Sequence, residues 1–249
     1  MAEAVVTVDG WSALHDTRQF DWTSWKLISK EERQAAIDEF QQLISKWEAV
    51  EEEKQGSHGI YKVVGNKADF MFIFLRESFQ ELEQIKTEIN KTKLGDFLIP
   101  GYSYVSIIEK TMHDPMKAGE DRELSAYVKE ALKPTMPKWE HACFYPMARR
   151  RDPGVNWFEI EKEERTKLLY EHGMTGRKYA GKVKEIITGS IGLDEWEWGV
   201  TLFAHDPLQF KKIVYEMRFD EVTTKYAEFG DFIVGNFLEK EELSNHLSI

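Results

Sequence analysis

The chain carries a single cysteine, Cys143, among 249 residues, so no intrachain disulfide can form and no multi-cysteine metal site can be assembled. That cysteine lies in the apolar run Ala142-Cys143-Phe144-Tyr145 and reads as a buried core residue. No apolar run is long enough to cross a bilayer, and the first residues, Met1 to Asp9, lack the basic start and apolar centre of a secretory signal. A soluble, cytoplasmic protein with no membrane partner is expected. Positive charge is also in short supply. With 33 lysines and arginines against 44 acidic residues the formal charge is -11, which argues against nucleic acid as a partner and requires any basic site to be local. By contrast, 42% hydrophobic and 13% aromatic residues are ample for a packed core in one large domain or two ordinary ones.

The order of predicted elements is duplicated. Ser29 to Trp47 opens as Ser-Lys-Glu-Glu-Arg and Glu161 to His172 as Glu-Lys-Glu-Glu-Arg, both helix starts with acidic first turns that suit the helix dipole. Strand candidates precede them at Gly10 to Trp22 and His141 to Met147, and pairs of strands follow, Gly59 to Val64 with Asp69 to Leu75, then Val183 to Thr188 with Glu195 to Ala204. In the last of these, Trp196, Trp198, Val200 and Leu202 alternate with Glu197, Gly199 and Thr201, as a half-buried strand requires. A second helix (Ser78 to Asn90; Asp206 to Glu216) and a closing strand (Tyr102 to Glu109; Phe229 to Phe237) complete each half. Each half therefore reads strand, helix, strand, strand, helix, strand. This is an α+β class of two ferredoxin-like (βαββαβ) halves forming a barrel, with an N-terminal half over 1–110, a connector over 111–140 and a C-terminal half over 141–249. The connector holds Pro115, Pro134 and Pro137 and a short helix, Arg122 to Leu132. Open sheets of this kind expose edges, so pairing between subunits is expected.

The stretch from Glu171 to Ser190 places His172 at the end of an amphipathic helix and follows it with a glycine-punctuated basic loop. An imidazole offers a neutral nitrogen to a metal, and such a loop brings main chain and cations close to an anionic ligand. Taken alone, His172 also reads as a complement to the helix dipole, Tyr145 as a core aromatic, Trp157 as packing, and Arg149 to Arg151 as a solvated cluster. His15, His58, His141, His205 and His246 show no spacing for a two-histidine metal pair and read as surface or strand-end residues.

Several segments carry a resemblance: Phe144 to Arg151, Asn156-Trp157, His172 to Val183, Trp198 to Phe203 and Tyr215 to Glu221, with Asp9-Gly10-Trp11, Gly65 to Asp69 and Tyr102 to Ser106. Together they resemble the chlorite dismutase superfamily, and within it the coproheme decarboxylase branch of Gram-positive bacteria. The resemblance implies a homopentamer with the porphyrin in the C-terminal half, and iron coproporphyrin III (coproheme) as both cofactor and substrate. It also implies hydrogen peroxide as the oxidant and haem b as the product. His172 matches the proximal iron ligand and Tyr145 the tyrosine whose radical attacks the propionate. Arg149, Arg218, Thr223 and Met147 match the porphyrin site; guanidinium forks suit carboxylates, and Lys178 is a further cation within reach. Arg218 also reads as a partner of Asp220 or Glu221.

The chain departs from the branch pattern at several of these positions. Arg149 stands where lysine is usual, keeping charge but not a labile proton. Glu185 stands for the distal glutamine; such a carboxylate can act as general base on peroxide, or protonate, or seek a cation such as Lys184. Ala131 and Lys133 replace an arginine and a tyrosine, His113 replaces a tyrosine, and Thr223 keeps a hydroxyl where serine is common. A haem carrier without decarboxylase activity, or a scaffold that binds no porphyrin, is the alternative that these changes raise. Chlorite dismutation is not expected, because the arginine it needs aligns with Glu185.

Overall fold

The computed structural model describes residues 4, 6–111 and 126–249. The first half runs β1 (Thr7–Phe20), α1 (Trp22–Leu27), α2 (Lys30–Glu52), β2 (Gly56–Val63), β3 (Phe70–Arg76), α3 (Phe79–Lys91) and β4 (Leu98–Thr111). Helix α4 (Ala126–Leu132) follows, then β5 (His141–Arg149) and a small ribbon, β6 (Arg151–Asp152) with β7 (Val155–Asn156). The second half continues with α5 (Lys162–Arg177), β8 (Lys184–Gly189), β9 (Trp198–Ala204), α6 (Leu208–Met217), α7 (Glu221–Tyr226), β10 (Ala227–Phe229), β11 (Ile233–Phe237) and α8 (Leu243–His246). His113, Pro115 and the start of the expected connector helix lie outside the described residues.

Strand order gives the plan. The first half is ordered β2-β3-β1-β4 and the second β8-β9-β5-β11, the same arrangement of first, second, third and fourth strands in each. Antiparallel pairs β11 with β2 and β4 with β8 join the halves, and β5 pairs with β9 across the second, so the sheet closes on itself. The exposed edges expected of open sheets are therefore largely absent among the described residues, since closure pairs each edge with the other. Inside the barrel, Trp11, Met71, Ile73, Tyr104, Phe144 and Phe203 form a core to which both halves contribute.

Helices cover the outer faces, and here the two halves differ. On the first, Phe70, Phe72 and Phe74 of β3 pack against Phe40, Leu43, Ile44 and Trp47 of α2, a helix opened by a capping box between Ser29 and Glu32. On the second, the corresponding strand β9 presents Trp198, Val200 and Leu202, and only Arg165 and Leu168 of α5 are buried. Rings thus fill the first outer layer. Smaller side chains and a half-polar helix leave the second hollow.

Some boundaries differ from the sequence reading. Strand β1 starts at Thr7, and Trp22 begins a helix because Asp21 caps it, accepting from the Ser24 N–H at 3.0 Å. The expected closing strand from Phe229 to Phe237 is two strands, broken at Gly230, where a Cβ would sit 2.7 Å from Pro146. Trp196 lies before β9 and packs against the barrel core, apart from Trp198. His15 and His58, expected at the surface or at strand ends, are buried within β1 and β2; His15 stacks on Phe144 at 4.0 Å and bonds Thr201 at 2.8 Å.

The asymmetry makes a stability prediction. Phe72→Ala should cost about 3–5 kcal/mol in chemical denaturation, as a large ring is removed from a filled core. Ile187→Ala, on the hollow side, should cost less than about 1 kcal/mol.

Candidate functional site

The hollow is a cavity of about 620 Å³ between the outer face of the second half and its helices, well within the size range of small-molecule sites. Strand alternation decides which residues face it. Tyr145, Met147 and Arg149 of β5, Trp198, Val200 and Leu202 of β9, and Glu185 and Ile187 of β8 form the floor, while the intervening residues point to the barrel core. Register sets them in rows: Tyr145 opposes Val200, which opposes Ile187, and Met147 opposes Trp198, which opposes Gly189. The roof is α5, whose residues at helical spacing, Lys162, Arg165, Thr166, Leu169 and His172, reach the cavity with Met217 of α6.

His172 does not end its helix. Helix α5 continues to Arg177 through Gly173 and Gly176, so part of the expected basic loop is helical. Glycine inside a helix costs about 1 kcal/mol relative to alanine, but a Cβ at Gly176 would lie 3.2 Å from the Met217 methyl, so its absence lets α5 settle against α6. The His172 Nδ1 bonds Asp220 Oδ2 at 2.9 Å. Asp220 caps α7, accepting the Thr223 N–H on Oδ1 at 2.8 Å and the Thr223 hydroxyl on Oδ2 at 3.2 Å. A carboxylate acceptor fixes the imidazole proton on Nδ1 and leaves Nε2 as the nitrogen with a lone pair for a metal. Asp220 thus pairs with His172, not with Arg218. The Thr223 hydroxyl has one proton, and while it is donated to Asp220 it cannot also be donated to a ligand carboxylate.

Arg149 reaches the cavity with its guanidinium 4.9 Å from the Trp157 ring centre and 6.0 Å from that of Trp198. Its Nη1 is buried without a hydrogen-bond partner among the described residues, and burial lowers its pKa to about 10, opposed by the charges of Asp220 and Glu197. A desolvated guanidinium with a spare donor is chemically suited to hold an anion. Glu197, read in the sequence only as an alternating strand position, is buried behind it and accepts the Arg149 backbone N–H at 2.7 Å. Arg150 and Arg151 stay at the surface near Glu228 and Glu197. Arg218 does not line the cavity; it stacks on Phe229, which does, at 4.2 Å. Lys178 pairs with Glu216 outside the cavity.

Tyr145 is buried against Phe232 at 4.4 Å, and burial followed by the charge of Glu185 raises its pKa. Glu185 lines the cavity, and desolvation pushes its carboxyl up to about 7. Lys184, on the opposite face of β8, sits 5.2 Å over Trp139 and does not neutralise it. Of the altered connector positions, Ala131 is in α4, and Lys133 pairs with Glu77 at 3.4 Å; neither lines the cavity. Among the described residues no cluster of three or more His, Cys, Asp or Glu residues could hold a metal, so a metal here would depend on His172 and a ligand that carries it.

Comparison with known proteins places these observations. The chlorite dismutase family model matches residues 33–238. The structure of a novel heme-binding protein from Thermus thermophilus superposes with a TM-score of 0.94 at 43% identity, covering 100% of this chain and 99% of that one. A chlorite dismutase variant from Candidatus Nitrospira defluvii shares the fold, with a TM-score of 0.77 at 20% identity over 96% of this chain and 95% of that one.

Glu185 makes a pH prediction. Its folded pKa of about 7 lies above the ordinary 4.5, so the folded state holds the extra proton between these values. Stability should therefore fall as pH rises from about 4.5 through about 7. Glu185→Gln should raise the melting temperature above pH 7 and leave it unchanged near pH 4; calorimetry across that range checks the sign.

Proposed function

The chain belongs to the chlorite dismutase family, and on that premise we propose that it is a coproheme decarboxylase. It would bind iron coproporphyrin III in this cavity and use hydrogen peroxide to convert it to haem b. The observation that carries the reading is His172, lining the cavity with Nδ1 held by Asp220. The residues fit an iron porphyrin: a neutral imidazole nitrogen for the metal, an apolar floor of Val200, Leu202 and Ile187 for the ring, and the unpartnered Arg149 nitrogen for a propionate. When bound, the iron porphyrin supplies the redox centre for peroxide and is itself the substrate.

The chain's own residues have definable tasks. Conversion of one propionate to vinyl releases carbon dioxide, one proton and two electrons. Reduction of one peroxide to two waters takes up two electrons and two protons, so each turnover consumes one net proton. Glu185, with its carboxyl near neutrality, can hold and release a proton over the cavity. Tyr145 keeps its phenolic proton at neutral pH, so it gives up that proton together with an electron. Arg149 holds a carboxylate through its free donor, Arg218 offers a second guanidinium beside Phe229, and Met147 contributes cavity wall. Thr223 and Asp220 orient the imidazole. Assembly as a homopentamer, implied by the resemblance, is part of the same proposal and is measurable by sedimentation.

A second reading, a haem-binding protein or carrier without turnover, is favoured by the description of the Thermus thermophilus relative as heme-binding, and by Ala131 and Lys133. One experiment separates them. Anaerobic titration with iron coproporphyrin III should give a saturable Soret band shifted from that of the free compound, and peroxide should then yield a three-propionate species and haem b by mass spectrometry. Binding with unchanged porphyrin would support the carrier, and a Soret band that stays where the free compound has it would reject both. His172→Ala should abolish the five-coordinate spectrum, and Tyr145→Phe should stop decarboxylation while binding persists. Asp220→Ala should weaken iron-porphyrin affinity by about 10–100-fold, as expected for loss of an outer partner of a ligating histidine.

A further inference from the structure

Glu109 is the one charged residue from the first half among the described residues lining the cavity. It reaches across from β4 to accept the indole N–H of Trp198 at 3.2 Å. The site is shaped for this contact. Gly189, which opposes Trp198 in the pairing of β8 with β9, has no side chain, and a Cβ there would lie 2.5 Å from the Glu109 carboxyl carbon and 2.6 and 2.7 Å from its oxygens. The carboxyl group therefore occupies the space a side chain at position 189 would take. Trp198 in turn offers its ring face to Arg149, whose guanidinium stands 6.0 Å from that ring and 4.9 Å from Trp157.

We propose that Glu109 is a positioning residue for the anion site: by fixing the Trp198 indole through its N–H, it keeps the ring face behind Arg149 and the unpartnered guanidinium nitrogen directed at carboxylates entering the cavity. Cation–π contact and a hydrogen bond act in series here. The ring is held at its edge by an acceptor and loaded on its face by a cation, and an indole polarised toward a carboxylate presents a more electron-rich face to a cation. Burial, with the nearby charge of Asp9, raises the Glu109 pKa against the lowering effect of Trp198, so the indole donor favours the charged form that serves this role. The proposal rests on the reading that porphyrin carboxylates meet Arg149, and it extends that reading to a residue of the other half.

Two measurements test it, one of which needs no porphyrin. In the ligand-free protein, the Trp198 indole N–H and Arg149 guanidinium N–H signals, assigned by Trp198→Phe and Arg149→Lys, should both shift in Glu109→Leu. They should stay near their wild-type positions in Glu109→Gln, which keeps an acceptor oxygen. An Arg149 signal unmoved by Glu109→Leu would overturn the proposal whether or not the protein binds porphyrin. In the second measurement, Glu109→Leu should weaken iron coproporphyrin III about tenfold, the scale of one lost hydrogen bond to a charged group, yet leave its tetramethyl ester nearly unaffected. Gly189→Ala should reproduce that selectivity, and Glu109→Leu should add nothing in a Trp198→Phe background. Equal weakening of acid and ester would assign Glu109 a purely structural role and also overturn the proposal. Failure of the wild-type protein to bind either compound would instead reject the porphyrin reading, leaving the resonance test of Glu109 to stand or fall alone.

Discussion

The second half works because α5 is held off the sheet instead of being packed onto it. The two halves share strand order and helix placement, yet α2 buries Ile37, Phe40, Leu43, Ile44 and Trp47, and α5 places Arg165, Thr166, Leu169 and His172 over the equivalent face. Close packing is the default for a protein interior, and an unfilled space forfeits dispersion contacts along its walls. The first half supplies the compensating stability through its ring-filled outer layer, and barrel closure ties that layer to the hollow one through β11 with β2 and β4 with β8. The candidate site thus lies on one of two nearly equivalent faces.

Within the hollow, charge is distributed with purpose. His172, oriented by Asp220, offers a neutral nitrogen from the roof, and Arg149 brings a desolvated cation backed by two indoles. Glu185 faces the same space, while its neighbour Lys184 is turned to the other side of β8. A carboxyl group in that setting titrates near neutrality and a guanidinium does not, so in the proposed function proton handling and anion binding would fall to different residues. The replacement of lysine by Arg149 fits this division, because arginine holds its charge where burial would deprotonate lysine more readily.

Much of this was legible in the chain. Period-two alternation in β9 and the repeated acidic helix starts set the order of elements, and the resemblance around His172 and Tyr145 singled out two residues that do share one cavity. The helix end was misplaced because Gly173 and Gly176 look like a terminus, whereas contact with Met217 makes a glycine useful inside the helix. Gly230 broke a strand for the opposite reason, since Pro146 and Trp196 crowd its α-carbon. Asp220 was hidden because its bond to His172 spans 48 residues, although its capping spacing to Thr223 was a local sign. Glu109 and Glu197 meet their indole and backbone partners across 89 and 48 residues of chain, which no local pattern records.

The proposed chemistry turns on a metal held by the His172 nitrogen that Asp220 leaves open. Resonance Raman spectroscopy of the ferrous protein loaded with iron coproporphyrin tests this most directly. An iron–histidine stretch that disappears in His172→Ala and moves to lower frequency in Asp220→Asn, where the anionic acceptor is lost, is the predicted result. A mode that survives removal of His172, or is indifferent to Asp220, would contradict the account.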